Sequence, residues 1–77
     1  MATNRLRLYT LSFKQAAGWD QFTGFTVLAV SADRARDLIR PVLSSYEDQR
    51  AEDFRAKFEC NTDATRERIV RSSFRNG

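Results

Sequence analysis

The chain has no histidine, a single cysteine, a single proline and only two lysines. Without histidine, the commonest general base and the commonest transition-metal ligand are both missing. One cysteine excludes an internal disulfide framework. With no imidazole to activate it, Cys60 is expected to be a small core residue beside Phe54, Ala56 and Phe58. No run of glycine, serine or proline marks a linker, and no segment repeats. The glycine-rich phosphate loops, the dinucleotide fingerprint and the nucleophile elbow are also missing. The longest apolar stretch, Phe25 to Val30, is far too short to cross a bilayer. No basic leader followed by an apolar run opens the chain, so a cytoplasmic, membrane-free location is expected.

What is present suits a packed core. Of 77 residues, 42% are hydrophobic and 12% aromatic, well outside the range of disordered chains. A single domain over residues 1–77 is expected. A domain of this size hides only about 60% of the surface its unfolded chain exposes, so partner binding or self-association would add meaningfully to its stability. The net charge is a modest +3, and eleven of the thirteen basic residues are arginine. That bias is read as a trace of a GC-rich coding genome.

Arg5 to Phe13 is rich in β-formers and reads as a first strand. Leu6, Leu8 and Thr10 share one of its faces; Tyr9, Leu11 and Phe13 share the other. A strand apolar on both sides is central or bulged. Lys14 to Gly24, with turn glycines at Gly18 and Gly24, reads as a long hairpin connection into a second strand at Phe25 to Val30. Ser31 is placed to cap a helix, and Asp33 suits its first turn. Ala35, Leu38, Ile39 and Val42 lie on one helical face. Pro41 is expected to end the regular helix near Ile39 or Arg40, with a short turn through Tyr46.

Tyr46 to Asp53 is highly charged and reads as a surface connection. Phe54, Ala56, Phe58 and Cys60 then alternate with Arg55, Lys57 and Glu59, the pattern of a strand with one face in water. Asn61 to Thr65 is turn chemistry, and Arg68 to Phe74 reads as a last strand. The expected fold class is α+β: an antiparallel sheet of about four strands with one helix packed on one face, in the order ββαββ. Tyr9, Leu11, Phe13 and Leu28 are expected on the sheet face that the helix leaves open.

The carboxylate pairs Glu47–Asp48 and Glu52–Asp53 lie in a charged segment with nothing apolar to raise a pKa, and read as solvating residues. A non-enzymatic protein with no cofactor and no metal is therefore expected. Trp19, Asp20 and Phe22 stand between two turn glycines, where loop aromatics commonly anchor an interface. Arg34, Arg36 and Arg40 line the exposed side of the helix and form a second candidate patch for an acidic protein or phosphate. From Arg50 onward there are seven basic and five acidic residues. A fold that gathers Arg55, Lys57, Arg66, Arg68 and Arg71 on one side would give a nucleic-acid surface. An apolar face left uncovered would instead pair with a second copy as a homodimer.

Gly18, Trp19 and Asp20, the apolar strand at Phe25 to Val30, and Ser31, Ala32, Ala35 and Arg36 resemble a group of short proteins encoded by phages and prophages. Pro41 and the closing Ser72, Ser73, Phe74 and Gly77 share that likeness. The resemblance implies the ββαββ order and a final strand at Ser72 to Phe74, and brings no catalytic residue. By analogy with small phage inhibitors, including anti-CRISPR and other anti-defence proteins, it implies a domain that blocks a host protein or ribonucleoprotein complex by covering one surface.

Overall fold

The computed structural model describes residues 5–14, 21–44 and 49–75. They form strands β1 (Arg7–Phe13) and β2 (Gln21–Ala29), helix α1 (Ala32–Leu43), a 3-10 turn at Ala51–Asp53, and strands β3 (Phe54–Asn61) and β4 (Arg68–Arg75). The fold is α+β in the expected ββαββ order. The four strands make one antiparallel sheet in the order β3-β1-β2-β4. Both central strands, β1 and β2, are the first two in the chain, and Thr10, Ser12 and Thr26 make their second face partly polar.

The helix lies on one face of this sheet. Its stripe of Ala35, Ile39 and Leu43 is buried against Tyr9 and Leu11 of β1, Phe25, Val27 and Ala29 of β2, and Phe54 of β3. Tyr9, Leu11 and Phe13 therefore point toward the helix, which corrects their expected place on the open face. Leu28 does lie on that open face, opposite Leu8. At one end of the sheet the rings of Phe13, Phe54, Phe25, Phe22 and Phe74 form a continuous chain across all four strands. Their successive centroids are 5.3, 5.4, 4.9 and 4.8 Å apart, and aromatic contacts of this kind contribute about 1 kcal/mol each beyond area burial.

The helix starts as expected: the Ser31 hydroxyl accepts from the Arg34 backbone N–H at 3.2 Å. It does not end at Pro41. It runs on to Leu43, with Pro41 inside it. The proline offers no N–H to the Asp37 carbonyl and crowds that carbonyl with its ring. Burial of Leu43 offsets that loss, and the Ser44 hydroxyl donates to the Pro41 carbonyl at 2.7 Å.

Strand β2 begins at Gln21, four residues earlier than expected, so Phe22 and Gly24 belong to the sheet and not to a loop. Gly24 is required there by a close approach: a Cβ at this position would stand 2.7 Å from the Leu11 carbonyl oxygen. Phe22 is reached from outside the sheet by Gln49, which is only 2% exposed. The Phe22 N–H donates to Gln49 Oε1 at 2.8 Å, and Gln49 Nε2 donates to the Phe22 carbonyl at 2.7 Å. One side-chain amide thus substitutes for a neighbouring strand. The expected surface connection before β3 holds, in its described part, the buried Gln49 and Ala51.

Three bulges interrupt the ladders. In β3 the register shifts between Tyr9↔Phe58 and Leu8↔Cys60, leaving Glu59 as the extra residue. The shift breaks the alternation, moves Cys60 to the side of Leu8, and leaves its thiol exposed. The expectation of a core cysteine is thereby corrected.

Replacing Gln49 with Ala removes both of its hydrogen bonds to the Phe22 backbone. Urea unfolding is expected to show a loss of about 2 kcal/mol; a loss in the range of ordinary surface substitutions, about 0.5 kcal/mol or less, would mean that the paired bonds do not form. Gly24→Ala is expected to lose about 1–3 kcal/mol through overpacking against the β1 backbone, read as a lower thermal midpoint. An unchanged midpoint would contradict the close approach.

Candidate functional site

The arginines of α1 are already in use. Arg34 donates to Glu67 Oε1 through Nη2 at 2.7 Å and Nε at 3.2 Å, and its Nη1 lies 3.7 Å from Asp37. Glu67 also accepts from the Val30 backbone N–H at 3.2 Å. Arg36 lies 3.7 Å from Asp33 and donates to the Phe54 carbonyl at 3.4 Å. Arg40 donates to Asp37 at 3.2 Å and is hydrogen-bonded to Glu52. These guanidinium groups tie the helix to β3, to the 3-10 turn and to the segment before β4, so the expected helix patch is largely neutralised within the fold.

The pairing shifts both carboxylates in the same sense. The Arg34 hydrogen bond holds Glu67 below the ordinary glutamate value, and the Arg40 hydrogen bond does the same for Glu52. Each arginine is correspondingly raised, chiefly by the hydrogen bond to its glutamate.

Phe22, expected as an exposed loop anchor, is 8% exposed and packs between Phe25 and Phe74. It is a core residue because the strand reaches back to Gln21. Trp19 and Asp20 lie outside the described residues.

A different surface emerges from the strand register. On the face away from the helix, three rows cross the sheet from β3 to β4. They are Arg55, Ser12, Gly24 and Ser73; then Lys57, Thr10, Thr26 and Arg71; then Cys60, Leu8, Leu28 and Arg68. The middle is short and neutral, and four cations stand on the two edges. Arg55 and Lys57 are two residues apart and share a face in any regular strand. Arg68 and Arg71 are three apart and would point to opposite faces. The bulge between Thr26↔Arg71 and Val27↔Ile69 inserts Val70 and brings them to the same side.

Arg55, Lys57, Arg68 and Arg71 are all exposed, and among the described residues none of them is engaged by an ion pair. One carboxylate, Glu59, sits beside them on β3 and accepts from the Thr10 hydroxyl at 2.8 Å. Arg66 is exposed in the connection before β4 and has no register position on the sheet. Four of the five basic residues named for a nucleic-acid surface are thus gathered, and the fifth is not. Reasoning from sequence missed the neutral floor of Ser12, Thr10 and Thr26, for which the two-sided pattern of the first strand was the available signal.

On the helix side, Arg7, Tyr9, Phe58 and Asn61 line an open cavity of about 310 Å³. The Phe58 ring is 50% exposed and meets Tyr9 edge-on with centroids 6.1 Å apart. Among the described residues, no three histidine, cysteine, aspartate or glutamate side chains come together as a metal-binding group, and no helix is long and apolar enough to cross a membrane.

Glu52 and Glu67 are lowered from 4.5, so the stabilisation from their pairs is present above that value and lost as pH falls through their folded-state values. The urea midpoint is expected to drop on acidification below 4.5, and to drop less in a Glu52→Gln, Glu67→Gln variant. An identical acid limb in both proteins would show that these pairs carry none of the pH dependence. Compared with known protein families, curated proteins and solved structures, the chain matches none.

Proposed function

We propose that the chain is a non-enzymatic binding protein that holds nucleic acid by its phosphate backbone, using the sheet face opposite the helix. The observation that carries this reading is the convergence of Arg55, Lys57, Arg68 and Arg71 on that face, with no ion pair among the described residues, while the helix arginines are committed to glutamates and aspartates. Cations held beside acids cannot neutralise phosphate without breaking an internal pair. The four on the sheet need no such exchange. Charged side chains on edge strands also discourage edge-to-edge pairing between copies, and that role alone would leave no affinity for nucleic acid.

A second reading follows from the half-exposed Phe58 beside Tyr9 and Arg7. An aromatic and guanidinium pocket is a common anchor for a partner protein, and it fits the resemblance to phage inhibitors that cover a host or defence complex. In this reading Phe58 and Arg7 replace Phe22 and the helix arginines as contacts.

Salt separates the two readings. Binding to a mixed-sequence oligonucleotide is expected to fall steeply between about 50 and 200 mM salt. Lys57→Gln and Arg71→Gln should each weaken binding and reduce the slope of log affinity against log salt by about 0.7–0.9. Arg34→Gln should lower stability and leave that slope unchanged. Absence of binding at low salt, or a slope insensitive to Lys57 and Arg71, would overturn the nucleic-acid reading. A salt-insensitive partner released by Phe58→Ala would favour the second.

A further inference from the structure

We infer that the nucleic acid is double-stranded RNA, laid over the sheet with one backbone on the β3 edge and the other on the β4 edge; this rests on the nucleic-acid reading above. The cations form two separate tracks. Arg55 and Lys57 stand on β3, while Arg68 and Arg71 stand on β4 opposite Leu28 and Thr26, which are themselves two residues apart. Three strand spacings separate the tracks, a distance of about 14 Å.

A single strand binds along one basic groove and stacks its bases on aromatic rings. Here the register positions between the tracks are Ser12, Thr10, Leu8, Gly24, Thr26 and Leu28, which offer no ring and no cation. A duplex presents two backbones on either side of a groove, and so matches two rails with an uncharged run of register positions between them, bordered on the β3 side by the Glu59 carboxylate at the Thr10 hydroxyl.

The choice of RNA over DNA comes from depth. Between the rails the register positions Ser12, Thr10, Leu8, Gly24, Thr26 and Leu28 carry no long polar side chain, so the strip itself has nothing to reach base edges in grooves of B-form DNA, which are about 7.5–8.5 Å deep. The minor groove of A-form RNA is wide and shallow, and shows its 2′-hydroxyls at the surface. The hydroxyls of Ser12 and Thr26, diagonal neighbours on the two central strands, lie on this face to meet them. Binding of this kind reads duplex shape and not sequence.

The test uses three probes of one mixed sequence: an RNA duplex of about 16 base pairs, the length a shape-reading domain spans, the matching DNA duplex, and the single RNA strand. Fluorescence anisotropy across a salt series is expected to rank the RNA duplex tightest. Removing either rail, by Arg55→Gln with Lys57→Gln or by Arg68→Gln with Arg71→Gln, should weaken duplex binding to a similar extent and reduce the salt slope by about 1.8. The corresponding arginine-to-lysine variants should retain it, and unchanged urea midpoints confirm that the variants fold. Equal affinity for the single strand, or loss confined to one rail, would overturn the straddling arrangement while leaving nucleic-acid binding intact. Equal affinity for the DNA duplex would overturn the choice of RNA. No binding to any probe would remove both this inference and the function on which it rests.

Discussion

One amphipathic helix can cover only one face of a four-stranded sheet, and this limit shapes the whole domain. Ala35, Ile39 and Leu43 seal Tyr9, Leu11, Phe25, Val27 and Phe54 from water, and each fully buried large side chain contributes about 1.5–3 kcal/mol. The opposite face has no helix over it among the described residues, although Leu28 there is only 6% exposed. It is occupied near its centre by threonine, serine and two leucines, and at its edges by arginine and lysine, a composition that tolerates water without a second apolar layer.

The arginines divide into two sets by what lies near them. Those on the helix meet Asp33, Asp37, Glu52 and Glu67 and act as ties between elements. Exposed pairs of this sort contribute little individually, but Arg34 and Arg40 reach out of the helix to separate parts of the chain and fix how it lies on the sheet. Arg55, Lys57, Arg68 and Arg71 on the two edge strands form no ion pair among the described residues, although Glu59 stands beside them on β3. Which cations are left without an ion pair is a consequence of where the acidic residues are placed as much as of where the basic ones are.

Bulges decide which side chains share a surface. Without the extra Val70, Arg68 and Arg71 would lie on opposite sides of β4; without the extra Glu59, Cys60 would continue the alternation begun by Phe54. One inserted residue reverses every side chain beyond it. The same sensitivity explains Gln49, which supplies a bidentate partner to Phe22 beyond the end of the β1 ladder. A charged segment read as solvent-facing thus contributes a buried amide, because a backbone hydrogen-bonding pair had to be satisfied.

Local pattern was enough to determine the α+β class, the order of the elements, the serine cap at Ser31 and the pairing of Arg55 with Lys57 on one side of a strand, since each depends on near neighbours in the chain. The early start of β2, the burial of Phe22, the passage of the helix through Pro41 and the exposure of Cys60 were decided by tertiary structure, where packing and ladder register outweigh local propensity. The candidate site divides in the same way. Its basic residues are visible in the sequence, but their meeting on one face depends on a bulge and on pairing between strands far apart in the chain, and their lack of ion pairs among the described residues depends on Asp33, Asp37, Glu52 and Glu67 being taken up by the helix arginines.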